Sequence, residues 1–202
     1  VPVNTATWVA SRLMRDGTPD VLDGAADVCH VSGLVWRHGH GRQLSEVPEA
    51  LIERPVFSGC AAAALYRRQD WLDAGGLEER FFCYVEDVDL GFRLQLRGRP
   101  CWYVPGAVAH HVGSATSGFG SRFSVYHGHR NLEWMFVRNM PSALLWRYFP
   151  AHVMTSLIAI AWFTMRGRGG SILRAKWDAL LGVGKAIDER RTVQASRVID
   201  VE

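Results

Sequence analysis

Glu86, Asp87 and Asp89 put three carboxylates within four positions, directly behind the aromatic run Phe81-Phe82-Cys83-Tyr84-Val85. Carboxylates beside apolar surface must be solvated, paired or bound to a cation, because burying an unpaired charge is costly. The cluster therefore faces a cleft or caps an element, and in a cleft its chemistry would be proton abstraction or cation binding. The residues that follow fix its place: Leu90, Leu94 and Arg97 recur at helical spacing, and Gly98 and Pro100 supply the stop. The acids thus sit at a helix N-terminus, where capping accounts for one or two of them through bonds from free amides and the helix dipole.

Other chemistry-bearing residues are more scattered. Residues 101–105 and 107–112 read as two short strands broken at Pro105-Gly106. Strand alternation points His110 and His111 to opposite faces, so at most one readily shares a site with the acids. His30, His38 and His40 lie in a polar region, and Gly39-His40-Gly41 reads as an exposed turn. Residues 56–68 are small and apolar and read as a buried strand or helix; Ser58 and Gly59 at its start either offer backbone donors to a ligand or serve close packing. Residues 114–120, with Gly118 and Gly120, read as a flexible loop suited to a lid.

The framework that must position these groups is a globular one. A chain of 202 residues, 48% hydrophobic and 21% charged, supports one good core or a domain with an appendage. A net charge of +3, with no basic stripe interleaved with aromatics in the first 160 residues, argues against nucleic acid as a partner. Cys29, Cys60, Cys83 and Cys101 lack the spacing of a zinc site or a disulfide framework, which points to a reducing compartment. The first ten residues carry neither an initiator Met nor a signal peptide, and the chain reads as a piece of something longer.

Residues 9–14 suit a strand, 15–20 a turn and 39–55 a long loop bordering a cleft. Residues 67–74 suit a short helix closed by Gly75-Gly76 as a left-handed cap. Residues 126–140 suit a helix with Tyr126, Arg130 and Trp134 on one side. Residues 148–165 contain no charge over a span just long enough to cross a membrane, yet Pro150, His152, Thr155, Ser156 and Thr164 favour lying in the membrane surface. Residues 165–191 hold seven Lys or Arg against Asp178, Asp188 and Glu189, as in a helix that attracts anionic lipid or packs on a domain. The expected division is a domain over 1–141 and a helical, amphipathic, basic membrane-associating tail over 142–202.

Taken in order, Gly59-Cys60, Tyr66-Arg67-Arg68, Gly75-Gly76-Leu77-Glu78-Glu79, Phe81-Phe82-Cys83-Tyr84, Glu86-Asp87-Val88-Asp89-Leu90, Arg93 with Gly98, Val104-Pro105, His111 with Ser114, and Arg130-Asn131 carry a resemblance. The succession, over residues 56–141, resembles family-2 glycosyltransferases, and within them the rhamnosyltransferase-like enzymes of bacterial cell-surface polysaccharide assembly. Leu77-Glu78 departs from the Phe-Asp usual at that place. The resemblance implies an α/β class with a partial GT-A fold, a mixed sheet with flanking helices that handles nucleotide-sugars and inverts the transferred sugar by direct displacement. Members of that family carry their nucleotide-binding strands and an Asp-x-Asp motif upstream of the point matching Val1, and residues 1–202 show no equivalent, so the chain resembles the C-terminal acceptor and base half.

The same resemblance implies a nucleotide-sugar donor carrying rhamnose or another hexose, a glycan or lipid-linked acceptor, and a location on the cytoplasmic face of the cell membrane. It makes Asp87 the base, Glu86 its partner on the acceptor hydroxyl, and Asp89 a helix cap. His111 would complete a site for Mg²⁺ or Mn²⁺, with His110 in its place if the register slips. Ser58, Gly59 and Tyr84 would bind substrate, and Arg122 and Arg130 would meet diphosphate charge or serve surface and helix-pair roles. Two other readings suit the same residues: a non-catalytic glycan-binding or scaffolding fragment, and a metal-dependent hydrolase using Glu86, Asp87 and His111.

Overall fold

The structure, a computed structural model, describes residues 8–113, 118 and 120–200. Its strands are β1 (Trp8–Arg15), β2 (Leu22–Ala25), β3 (Asp27–Cys29), β4 (Val35–Arg37), β5 (Arg54–Val56), β6 (Ala64–Tyr66) and β7 (Cys101–His111). Its helices are α1 (Arg68–Asp73), α2 (Glu86–Leu96), α3 (Arg122–Asn139), α4 (Ser142–Met165) and α5 (Gly169–Ala195).

The chain is an α/β protein built on a curled mixed sheet in the order β2-β1-β7-β5, with β6 pairing the start of β1. β1 is central because Trp8, Ala10, Leu13 and Met14 are all buried; it pairs β7 in parallel and β2 antiparallel. The expected break at Pro105-Gly106 is instead a bulge within one long strand. Ser11 pairs Val104 and Arg12 pairs Val108, so the residues between need no ladder bonds and proline's missing N–H costs nothing there.

Two glycines let α2 settle on this sheet. A Cβ on Gly91 would stand 2.5 Å from Ser58 Oγ and 2.8 Å from the Trp8 ring; one on Gly59 would stand 2.9 Å from the Ala10 Cβ. Both positions are backbone approaches that no larger residue permits. The segment before β6 is not a buried element: residues 61–63 form an exposed 3-10 turn. The long polar stretch is likewise partly ordered, with 3-10 turns at Leu44–Glu46 and Pro48–Leu51 wrapped around buried Val47 and Ala50. Most of the proposed lid, residues 114–117 and 119, lies outside the described residues.

A second core unites α2, α3 and α5 through Phe81, Phe92, Leu96, Trp134, Phe136, Ala179 and Ala186. Trp134 Nε1 donates to Ala179 O at 2.9 Å, and a Cβ on Gly182 would stand 2.5 Å from the Trp134 ring. α5 is therefore packed on the domain along its inner face, while Trp177, Leu180 and Leu181 face outward.

α4 carries its polar side inward. His152 stacks on Phe136 at 3.8 Å between ring centres and bonds Glu133 Oε2 at 2.7 Å; Ser156 Oγ donates to Glu133 Oε1, which also holds Lys176. Its other side leaves Trp146, Phe149, Met154, Leu157, Ile158 and Trp162 exposed. Among the described residues it is the one helix long and apolar enough to cross a membrane.

Candidate active site

The N-terminus of α2 opens into a cleft of about 1100 Å³, lined among others by Asp23, Asp27, Arg37, Tyr84, Glu86, Asp87 and His111. The chain reaches it through strained backbone. Phe82, Tyr84 and Val85 adopt φ of 64°, 67° and 71°, a left-handed conformation that is costly for side chains of this bulk and for β-branched Val85 above all. Fully buried Asn131 holds the segment: its Nδ2 reaches the carbonyls of Phe81, Cys83 and Tyr84 at 2.9, 2.9 and 2.8 Å. Val85 is the N-cap and offers no side-chain bond, so the first turn of α2 is aimed by this clamp and not by a cap.

Asp87 is fixed at both oxygens. Oδ2 accepts from Ala61 N at 2.9 Å and Oδ1 from Val88 N at 2.8 Å, while Ser58 Oγ donates to its carbonyl at 3.2 Å. Each carboxylate oxygen keeps a lone pair for a further donor. Glu86 beside it is different: burial, then the Asp87 charge, pushes its carboxyl up to about 7, and Oε2 is buried without a partner among the described residues. A group titrating there can accept or return a proton at neutral pH.

Across the cleft, Arg37 is shared between two acids that sequence reasoning passed over. Nη1 lies 2.6 Å from Asp23 Oδ2 and Nε 3.5 Å from Asp27 Oδ1. Burial, then the charge of Asp87, raises the Asp27 carboxyl to about 7 against the opposing pull of Arg37, whose closer contact is to Asp23. Burial pushes against the Asp23 charge as well, but the His111 hydrogen bond and Arg37 outweigh it and hold that carboxyl low. The available signal was Leu22-Asp23-Gly24-Ala25-Ala26-Asp27, two acids inside a small, apolar stretch.

His111 Nδ1 bonds Asp23 Oδ2 at 2.8 Å, leaving Nε2 as its other ring nitrogen. A carboxylate behind the ring is the usual arrangement of a metal-ligating imidazole, so His111 suits a cation ligand. Among the described residues, however, no group of three or more His, Cys, Asp or Glu is arranged to hold a metal. His110 also lines the cleft, and so does His40, whose Nδ1 lies 2.8 Å from Asp23 O; its turn is exposed as expected and forms part of the cleft wall.

Several expected site residues serve other ends. Ser58 is fully buried under α2, and Gly59 packs on Ala10, so neither presents donors to the cleft. Arg130 bonds the carbonyls of Arg80 and Phe81 at 3.0 and 3.2 Å and lies over Trp134; its role is to brace the strained segment beside Asn131. Asp89 is no cap: fully buried, it pairs with Arg93 at 2.8 Å and accepts from Asn139 Nδ2 at 2.7 Å. Tyr84 lines the cleft, and Arg122 lines a neighbouring cavity.

The α/β architecture and its carboxylate cleft are consistent with part of a nucleotide-sugar transferase fold, and sequence comparison supports a glycosyltransferase-like class. Over 65 residues the chain is 46% identical to a Mycobacterium tuberculosis protein (strain CDC 1551 / Oshkosh) named N-acetylglucosaminyl-diphospho-decaprenol L-rhamnosyltransferase, and equally to its counterpart in strain ATCC 25618 / H37Rv. The matched stretch is 32% of this chain and spans 21% of each relative's length. No family model matches the chain.

Proposed function

We propose that the chain is the acceptor-side part of an inverting glycosyltransferase of GT-A fold, moving rhamnose or another hexose from a nucleotide-sugar to a lipid-linked glycan acceptor in cell-surface polysaccharide synthesis. The observation that carries this is the Glu86-Asp87 pair, held over a large cleft by backbone strain and an asparagine clamp. Strain of that kind persists only where the surrounding structure enforces it, and it clusters at working sites. The relatives' name supplies the acceptor class, a sugar on a lipid diphosphate.

In this reading Asp87 takes the proton of the acceptor hydroxyl as its oxygen attacks the anomeric carbon, and the nucleoside diphosphate leaves from the opposite face. Two backbone N–H groups keep the Asp87 carboxylate in one orientation, so little reorganisation is needed at the moment of attack. Glu86 aligns the same hydroxyl. The His111 hydrogen bond and Arg37 hold the Asp23 carboxyl low, and His111 backed by it would hold Mg²⁺ or Mn²⁺ together with the donor diphosphate. When bound, such a cation neutralises charge on the leaving diphosphate.

On this reading the protein lies on the cytoplasmic surface of the cell membrane, beside its lipid-linked acceptor; the exposed apolar side of α4 and the arginines that follow it support that reading. The experiment is release of nucleoside diphosphate from a panel of nucleotide-sugars by the full-length protein, beside a folded Asp87→Asn variant, with and without chelator. Chelator-sensitive release that the variant abolishes supports the assignment; equal turnover in the variant removes Asp87 as base.

A further inference from the structure

Beside the main cleft lies a second cavity, of about 560 Å³, with Arg122, Arg168, Arg174, Tyr126 and Phe123 in its wall. Arg122 opens α3, and Arg168 and Arg174 flank the start of α5, so the positive ends of two long helices add to the guanidinium charge. One acid offsets part of it: Asp178 Oδ2 accepts from Tyr126 OH at 2.6 Å and lies 3.6 Å from Arg174 Nε. Among the described residues no carboxylate comes within ion-pair distance of Arg122 or Arg168. Two arginines without acidic partners in a concave pocket match a doubly anionic ligand.

The surroundings say which anion. On α5, Trp177 and Leu181 follow Gly170 and Arg174 at helical spacing, and they are 62% and 70% exposed. At the end of α4, Trp162 and Met165 are 47% and 77% exposed. An apolar track therefore leads away from the cationic pocket, and a nucleoside would leave it in water. In the other direction Phe123 is a shared wall with the carboxylate cleft, so a sugar carried on the diphosphate lies toward Glu86 and Asp87.

We infer that this cavity binds the diphosphate of an isoprenoid-linked sugar acceptor, with Arg122 and Arg168 on the phosphates and the lipid chain along Trp177 and Leu181. The inference rests on the transferase reading above for its ligand class, and it adds the subsite.

The test is equilibrium binding of farnesyl diphosphate, farnesol, inorganic diphosphate and a nucleoside diphosphate to the protein and three variants: Arg122→Ala/Arg168→Ala, Trp177→Ala/Leu181→Ala and Asp87→Asn. All the substituted arginine and apolar positions are at least partly exposed, and thermal melts verify folding, with Arg122→Lys/Arg168→Lys retaining charge if the alanine pair melts early. Loss of charge-assisted phosphate bonds lowers farnesyl diphosphate affinity at least about tenfold in the arginine pair. The apolar pair weakens farnesyl diphosphate several-fold and leaves inorganic diphosphate unchanged, and Asp87→Asn changes neither.

Farnesyl diphosphate binding indifferent to the arginine pair overturns the subsite. So does a nucleoside diphosphate that loses affinity in the arginine pair while farnesyl diphosphate does not, since that makes the cavity a donor site. Because these are binding readouts, they fail separately from the base assignment, which is read by turnover of Asp87→Asn.

Discussion

Asp87 and Asp89 stand two residues apart on one helix and have opposite situations. Asp89 faces inward, where Arg93, Asn139 and, at 3.6 Å, Arg138 surround its carboxylate. Asp87 faces a cleft and is bonded only to the backbone N–H groups of Ala61 and Val88 among the described contacts. Glu86 and Glu133 repeat the contrast. Glu86 has a buried oxygen with no partner among the described residues and is pushed up to about 7. Burial would raise Glu133 too, but the His152 hydrogen bond and the Lys176 charge prevail and hold it at about 2. Carboxylates whose partners are complete stabilise the fold; those left incomplete beside a cavity are available for chemistry.

The strongest way to break this comparison is Asp87→Asn. It should lower turnover by about 10²–10⁴-fold, the usual contribution of a general base, with little change in melting temperature. Asp89→Ala should do the reverse, costing about 3–5 kcal/mol of stability in chemical denaturation because Arg93 is left buried and unpaired. If Asp89→Ala were as stable as the parent, the paired network would not be a stabilising one.

Asn131→Ala sharpens the comparison further. Removing the amide frees the Phe81, Cys83 and Tyr84 carbonyls and should cost about 2–3 kcal/mol, while also lowering turnover by releasing the strained turn before Glu86. An Asn131→Ala protein with normal turnover would detach the clamp from the chemistry.

The smallest effect concerns pH. Glu86 titrates at about 7 in the folded chain against an ordinary 4.5, so the native state keeps a proton that the unfolded state has released. Its contribution to stability is complete below about 4.5 and is lost as pH rises through about 7. Glu86→Gln should therefore stabilise the protein above that value by up to ~2 kcal/mol and flatten the pH dependence. Glu133 runs the other way, its contribution present above about 4.5 and lost as pH falls toward 2. Denaturation midpoints of Glu86→Gln and Glu133→Gln across pH should diverge in opposite directions.

The C-terminal region shows how much the packing changes an expectation. Its sequence leaves open whether the basic helix meets lipid or packs on the domain, and its inner face packs: Ala179, Ala186 and Val193 share a core with Phe81 and Trp134, and Arg80 pairs with Glu189 at 2.6 Å. Removing residues 142–202 would open that core, so membrane association is better examined by substitutions on the outward faces of α4 and α5.

What the sequence by itself determined was local: the position of β1, the turn after it, the extent of α1, the presence of α2 and α3, and the acids at the start of α2, while α3 begins at Arg122, a turn before the expected 126. Those depend on spacing and on Gly and Pro, which act within a few residues. It also pointed to Asp87 and His111 as residues worth placing. Only the tertiary structure decided which carboxylates are incomplete, because that depends on partners far along the chain: Asn139 for Asp89, Ala61 for Asp87, Asp23 for His111. The same distance dependence gave Ser58, Gly59 and Arg130 the packing and bracing roles the sequence had left open beside ligand contact, and brought Asp27 and Arg37 to the cleft. A side chain's chemistry is set by desolvation and by its neighbours in space, and neither can be read from its own stretch of sequence.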